Sequence, residues 1–204
     1  MEIRYFGANC VKLTTKKASI IVDDTKDKGA YITTAKDIAI QTNKALSYGE
    51  GAVFEIQSPG EYEVSEVAVT GIASTLHHDP DKQSVIYSLH IDGFSVAIIG
   101  HTEAQLDEAK LEKLGVVDVL IIPIGGHGYT LDAVEATKLI KEIEPKIVIP
   151  THYEDSSVTY EMPQAPLEEF LKTYGASDTE TLDVLKLKDA MFPEKTQLVI
   201  LNKQ

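Results

Sequence analysis

The chain has 204 residues, enough for one domain with a substantial core, and its 43% hydrophobic content is that of an ordinary soluble protein. Nineteen basic against 32 acidic residues leave a formal charge of −13; that field repels a phosphate backbone, no Lys/Arg cluster offsets it, and nucleic acid is excluded as a partner. The single cysteine, Cys10, excludes an internal disulfide, and the lack of a basic-then-apolar leader or of a run of about 18 apolar residues points to a soluble, cytoplasmic protein away from membranes.

Residues 2–6, 10–15 and 18–23 read as successive strands joined by Gly7-Ala8-Asn9 and by Lys16-Lys17. Glu2-Ile3-Arg4-Tyr5 and Val11-Lys12-Leu13-Thr14 alternate as in a sheet with one wet face, whereas Ser19-Ile20-Ile21-Val22 is continuous and ends in Asp23-Asp24. A polar connection over 25–35 leads to a short strand at 37–41. The stretch Thr42-Asn43-Lys44-Ala45-Leu46-Ser47-Tyr48 that follows holds little chemistry. Further strands are expected at 53–56, 63–64 and 67–72, punctuated by Ser58-Pro59-Gly60, with Glu61 and Glu63 on one face of an edge strand. His77-His78 lead into Asp79-Pro80-Asp81, read as an exposed turn. Residues 85–91 pair with 94–99 through Asp92-Gly93, a strong hairpin signal.

From residue 95 the pattern changes. Three apolar runs, 95–100, 116–124 and 147–150, are rich in β-branched residues and lack alternation, which suits strands buried on both faces. Helical periodicity fills the gaps. Thr102 with Gln105 forms a capping pattern closed by Gly115, with Leu106, Ala109, Leu111 and Leu114 as the inner stripe. Asp132 with Glu135 repeats the pattern ahead of Ala136, Leu139, Ile140 and Ile143. Such βαβαβ crossovers make the strands parallel and send their carboxyl ends to one edge, where open α/β sheets bind ligands. His101, His127 and His152 each follow one of these runs, so three distant imidazoles are expected at a common rim. An amphipathic helix at 165–174 and strands at 184–187 and 197–201 close a single 1–204 domain of two sheets with helices outside.

These residues, taken together, resemble the metallo-β-lactamase superfamily, and most of all its short bacterial, lactonase-like branch of Zn-dependent hydrolases. The matches are Gly7, Ile20-Ile21-Val22-Asp23, Pro59-Gly60-Glu61-Tyr62-Glu63, Thr70-Gly71-Ile72, 118–126, Tyr129-Thr130 and Ile149-Pro150-Thr151-His152-Tyr153. The resemblance implies an α/β (α+β) fold, a four-layer αββα sandwich of two mixed sheets. It also implies a two-zinc centre built from an HxHxDH motif, a later His, a bridging Asp and a final His. Here the HxHxDH position falls on Thr42 to Tyr48, without His or Asp; the bridging Asp is replaced by His101, and the His beside Gly7 is Ala8. His152 matches the last ligand, and His77 or His78 the middle one, with Asp79 favouring His78. Asp23 and Thr102 support the site from behind the ligands.

Two functions follow from that comparison. The leading one is a hydrolase fold whose dinuclear site is lost, with weak or no hydrolysis and a role in binding or assembly, as a homo-oligomer or beside an intact relative. The other is a mononuclear zinc hydrolase of an ester, lactone or phosphoester, using His101, His152 and His77 or His78, with His127 as a further ligand; the cofactor is then either none or a single zinc. Each histidine also has a plainer role: His152 bonded to backbone or a neighbour, His101 held neutral at a helix start, His77 and His78 solvated, and His127 a loop residue.

Overall fold

The structure is a computed structural model that describes residues 1–25, 31–45, 48–176, 179–188, 192 and 194–204. Strands β1 (Glu2–Gly7), β2 (Cys10–Thr14), β3 (Ser19–Val22), β4 (Ile38–Ile40), β5 (Phe54–Ile56) and β13 (Leu185–Lys186) make a six-stranded sheet in the order β13-β1-β2-β3-β4-β5. An eight-stranded sheet runs β12-β14-β11-β10-β9-β8-β7-β6, from β6 (Gly60–Val64), β7 (Val67–Leu76), β8 (Asp79–Ile91), β9 (Phe94–Ile98), β10 (Val119–Pro123), β11 (Ile147–Thr151), β12 (Glu180–Leu182) and β14 (Gln197–Leu201). Both sheets are mixed. In the first, β3, β4 and β5 run parallel beside antiparallel neighbours; in the second, β9, β10, β11, β14 and β12 form the parallel half.

The expected strand–helix alternation is present, with α1 (Glu108–Leu114) and α2 (Ala133–Ile143) as the crossovers and α3 (Leu167–Tyr174) beyond β11. Ile3, Val11, Leu13, Ile20 and Val22 of the first sheet meet Val69, Tyr87, Leu89, Val96 and Ile121 of the second in one core between the sheets. A second core lies on the other side of the eight-stranded sheet, where Leu120, Ile122 and Val148 pack under Leu114, Ala136, Leu139 and Phe170 of the helices. All three helices among the described residues thus cover that sheet. Two mixed sheets with helices outside are as expected, but among the described residues the helical layer lies on the eight-stranded sheet alone, and the described connections of the first sheet are hairpins and extended loops.

Three local expectations are corrected. The cap of α1 is Asp107, whose carboxylate accepts from Lys110 N; Thr102 is buried instead, its hydroxyl 2.5 Å from that of Ser74, and Ala109 is exposed. The turn near residue 79 is His77-His78 itself, because Leu76 pairs with Asp79 and β8 starts there. Strand β12 has no counterpart in the sequence reading. Elsewhere the agreement is close: Asp132 and Glu135 form a reciprocal capping box, and Asp92 and Gly93 have φ of 56° and 83°, as a type I′ turn requires.

Candidate functional site

The parallel strands deliver their carboxyl ends to one rim, and the loops after β1, β3 and β4 reach it from the facing sheet. His101 follows β9 and His152 follows β11; their rings lie 5.1 Å apart, centroid to centroid, and nearly perpendicular at 85°. Both are buried, at 3% and 4% exposure. They line a cavity of about 10 Å³ together with Asn9, Thr25, Tyr129 and Gln164, which leaves room for roughly one water-sized group. Tyr160 closes it from the strap after β11, its ring 5.1 Å from that of His152.

Each imidazole is held by an amide. Gln164 Nε2 donates to the Met162 carbonyl at 2.7 Å, which turns its Oε1 to His152 Nδ1 at 3.0 Å. Asn9 Oδ1 accepts from the Thr151 hydroxyl at 2.9 Å, and its Nδ2 faces His101 Nδ1 at 3.3 Å. Burial pushes His152 down to about 4, against the opposing pull of the Gln164 hydrogen bond. Burial, with His152 and His78 nearby, also holds His101 well below its ordinary value. Both rings are therefore neutral at pH 7.

The backbone at this rim is unusual. Ala8, Asp23 and His152 have φ of 50°, 45° and 53°, a left-handed conformation that non-glycine residues adopt at a cost of about 1–3 kcal/mol each and that clusters at functional sites. Gly125 is fixed by close approach: a Cβ there would fall on the His152 carbonyl oxygen and the Gln164 side chain.

The other expected residues are placed as follows. His78 is exposed and stacks on Tyr129 (centroids 4.9 Å, 16°), and Tyr129 in turn meets the His101 ring edge-on at 5.3 Å. His77 turns to the start of α2, with Nε2 2.9 Å from Glu135 Oε2 and Nδ1 3.1 Å from the Gly128 carbonyl. His127 is exposed and does not line the cavity. Asp23 is spent on Thr42, whose backbone N–H (2.8 Å) and hydroxyl both donate to its carboxylate. Asp24 accepts from Ile32 N, Thr33 N and the Thr33 hydroxyl. Asn9, Thr25, Tyr160 and Gln164 were not expected at the site. Asn9 entered the sequence reading only as part of the turn after β1.

The Beta-lactamase superfamily domain profile matches residues 2–152, most of the chain. The chain belongs to the metallo-β-lactamase superfamily. It is 30% identical over 159 residues to a UPF0173 metal-dependent hydrolase of Thermococcus onnurineus, covering 76% of this chain and 67% of that one. A metal-dependent hydrolase of Pyrococcus furiosus is 32% identical over 121 residues, 57% of this chain and 52% of its own length. Among solved structures, a candidate Zn-dependent hydrolase of the superfamily from Thermotoga maritima superposes with a TM-score of 0.76 at 25% identity, over 100% of this chain and 99% of the other. Igni18, a metallo hydrolase from Ignicoccus hospitalis, shares the fold with a TM-score of 0.61 at 18% identity, over 92% and 99%.

The superfamily's two-metal centre finds no matching donor set in this conformation. Among the described residues no three His, Cys, Asp or Glu side chains are grouped to hold an ion. Of the carboxylates near the rim, Asp23 and Asp24 are engaged in holding loops and Glu161 lines the cavity, while His101 offers one lone pair in one direction. What the rim does present is two neutral imidazoles, one of which, His101, has an Nε2 buried with no hydrogen-bond partner among the described residues.

Proposed function

We propose that this chain retains the hydrolase scaffold of its superfamily without the two-metal centre, so that hydrolysis is weak or absent and the rim serves to bind a small molecule. Relatives at 30–32% identity named as metal-dependent hydrolases support the scaffold. The observation that carries the rest is the seating of Thr42: it opens the segment standing where the HxHxDH ligands belong, and it occupies the Asp23 carboxylate and packs against Gly100 at the end of β9. Asp23 so braces, from behind, a loop in which Thr42 to Tyr48 include no His or Asp to present to an ion, Leu46 and Ser47 of it lying outside the described residues.

The competing reading is a single zinc held by His101, His152 and His78. The unpartnered His101 Nε2 favours it, and it requires His78 to leave Tyr129. One assay separates the two. Zinc-equilibrated protein is offered lactone, carboxylic ester and phosphodiester substrates beside a His101→Ala/His152→Ala double variant. Equal background rates are expected; saturable turnover lost in the double variant would overturn the proposal.

A further inference from the structure

We propose that residues 155–163 are a lid on the rim, held shut by a clasp in which the histidines take no part. Anything larger than water reaches His101 and His152 only when the lid lifts. The proposal rests on the reading that the rim binds a small molecule: with the lid down, a cavity of about 10 Å³ does not hold one.

The segment is built as a unit. Glu154 N donates to the Ala165 carbonyl at 2.9 Å and Ala165 N to the Gly125 carbonyl at 2.8 Å, so the two ends are drawn together and anchored to the turn after β10. A surface loop of about ten residues with joined ends is an Ω-loop, packed by its own side chains. Asp155 does that packing here. Its carboxylate accepts from Ser157 N at 2.8 Å and from the Ser157 hydroxyl at 2.5 Å, and its carbonyl accepts from Val158 N at 3.0 Å. The Tyr160 hydroxyl donates to the Tyr153 carbonyl at 2.7 Å, which ties the ring over the cavity to the base of its own loop.

Little fixes this unit to the two sheets. Of residues 155–163 only Val158 is buried, at 8% exposure. It sits against Gly7 at the end of β1, where a Cβ would come within 3.0 Å of Val158 Cγ2 and 3.1 Å of Lys203 Cε. Lys203, beyond β14, lays its stem there, and its ammonium donates to the Ser157 hydroxyl at 2.6 Å and the Ser157 carbonyl at 3.3 Å. Val158 and the Lys203–Ser157 bridge are the clasp. Glu161, Met162 and Pro163 are exposed, and Gln164 stays at the neck with its bond to His152. A segment with few buried apolar contacts and exposed hydrogen bonds opens locally at far lower free energy than the core strands beside it. Lifting it takes Tyr160 and Glu161 off the cavity wall and leaves both imidazoles in place.

The test is acylation by diethyl pyrocarbonate, a reagent larger than the cavity, near pH 7 with a chelator present. Each histidine is read by mass spectrometry, alongside amide hydrogen exchange. Exposed His127 sets the unhindered rate. In the unsubstituted chain His101 and His152 are expected to react far more slowly than His127. Lys203→Met keeps the stem against Gly7 and removes the ammonium; it is expected to raise both rates about five-fold, the shift in open population that one lost hydrogen bond brings. Val158→Ala is expected to act in the same direction. In both variants the amides of residues 157 and 158 exchange faster and those of β11 do not; β11 amides accelerating in step would mean general unfolding and overturn the lid. Rates at His101 and His152 that match His127 in the unsubstituted chain also overturn it, but leave the binding reading standing, since the rim is then open as it is. Low rates that neither variant moves overturn it as well. If both rings stay unreactive even in Tyr160→Gly, the binding reading fails with the lid, because nothing larger than water reaches the rim.

Discussion

His152 shows how much of this rim depends on single atoms. Its ring is buried, neutral and tied to Gln164, and its folded-state pKa of about 4 lies below the ordinary 6.5. Between those values the unfolded chain takes up a proton that the folded ring refuses, so stability is full above about pH 6.5 and is lost as the pH falls toward 4. Urea unfolding at pH 7 and pH 5 is expected to differ by about 2 kcal/mol from this group, with a shallower dependence in His152→Gln. Gly125 makes a second case. Gly125→Ala forces a methyl onto the His152 carbonyl and Gln164, and is expected to cost about 1–3 kcal/mol, read as a lower urea midpoint at unchanged m-value. The histidines that follow strands were legible because an apolar β-branched run announces where it ends. Gln164 and Tyr160 were not, since they come from a strap without periodicity and reach the cavity only through tertiary packing.

The helices separate what local sequence decides from what tertiary structure overrides. Asp132 and Glu135 cap α2 as their spacing predicts. In α1 the same logic pointed to Thr102, but the Ser74 hydroxyl claims that side chain, and Lys110 is drawn to both Glu103 and Asp107. The helix starts one turn later for that reason. Asp107→Ala is expected to destabilise the protein by about 1 kcal/mol through loss of the cap, measurable by thermal or urea unfolding. Thr102→Ala should also destabilise, through the buried Ser74 partner, but leave the helicity of α1 intact by circular dichroism. Strands rich in β-branched residues were found from sequence to within a few residues. The polar first half of β8, residues 79–84, and the short β12 were missed because exposed polar strands carry no hydrophobic alternation.

The whole molecule carries an acidic balance around a small cavity lined by two neutral imidazoles and by Glu161. Its net charge of −13 disfavours anionic ligands in general. Superfamily membership was readable from the order of elements and the boxes along them, because the fold needs those strands whatever the chemistry. Whether a metal centre is kept is a matter of which side chains stand at the strand ends, and there the proposal rests on Thr42 to Tyr48, His101 and Ala8 standing where the resemblance implies ligands. The most direct test is elemental analysis and thermal unfolding of protein equilibrated with excess zinc and then dialysed. Less than one zinc per chain and an unmoved melting temperature are expected, since an ion that does not bind cannot stabilise the folded state. Two tightly held zinc ions per chain, with a raised melting temperature that His152→Ala abolishes, would contradict the account.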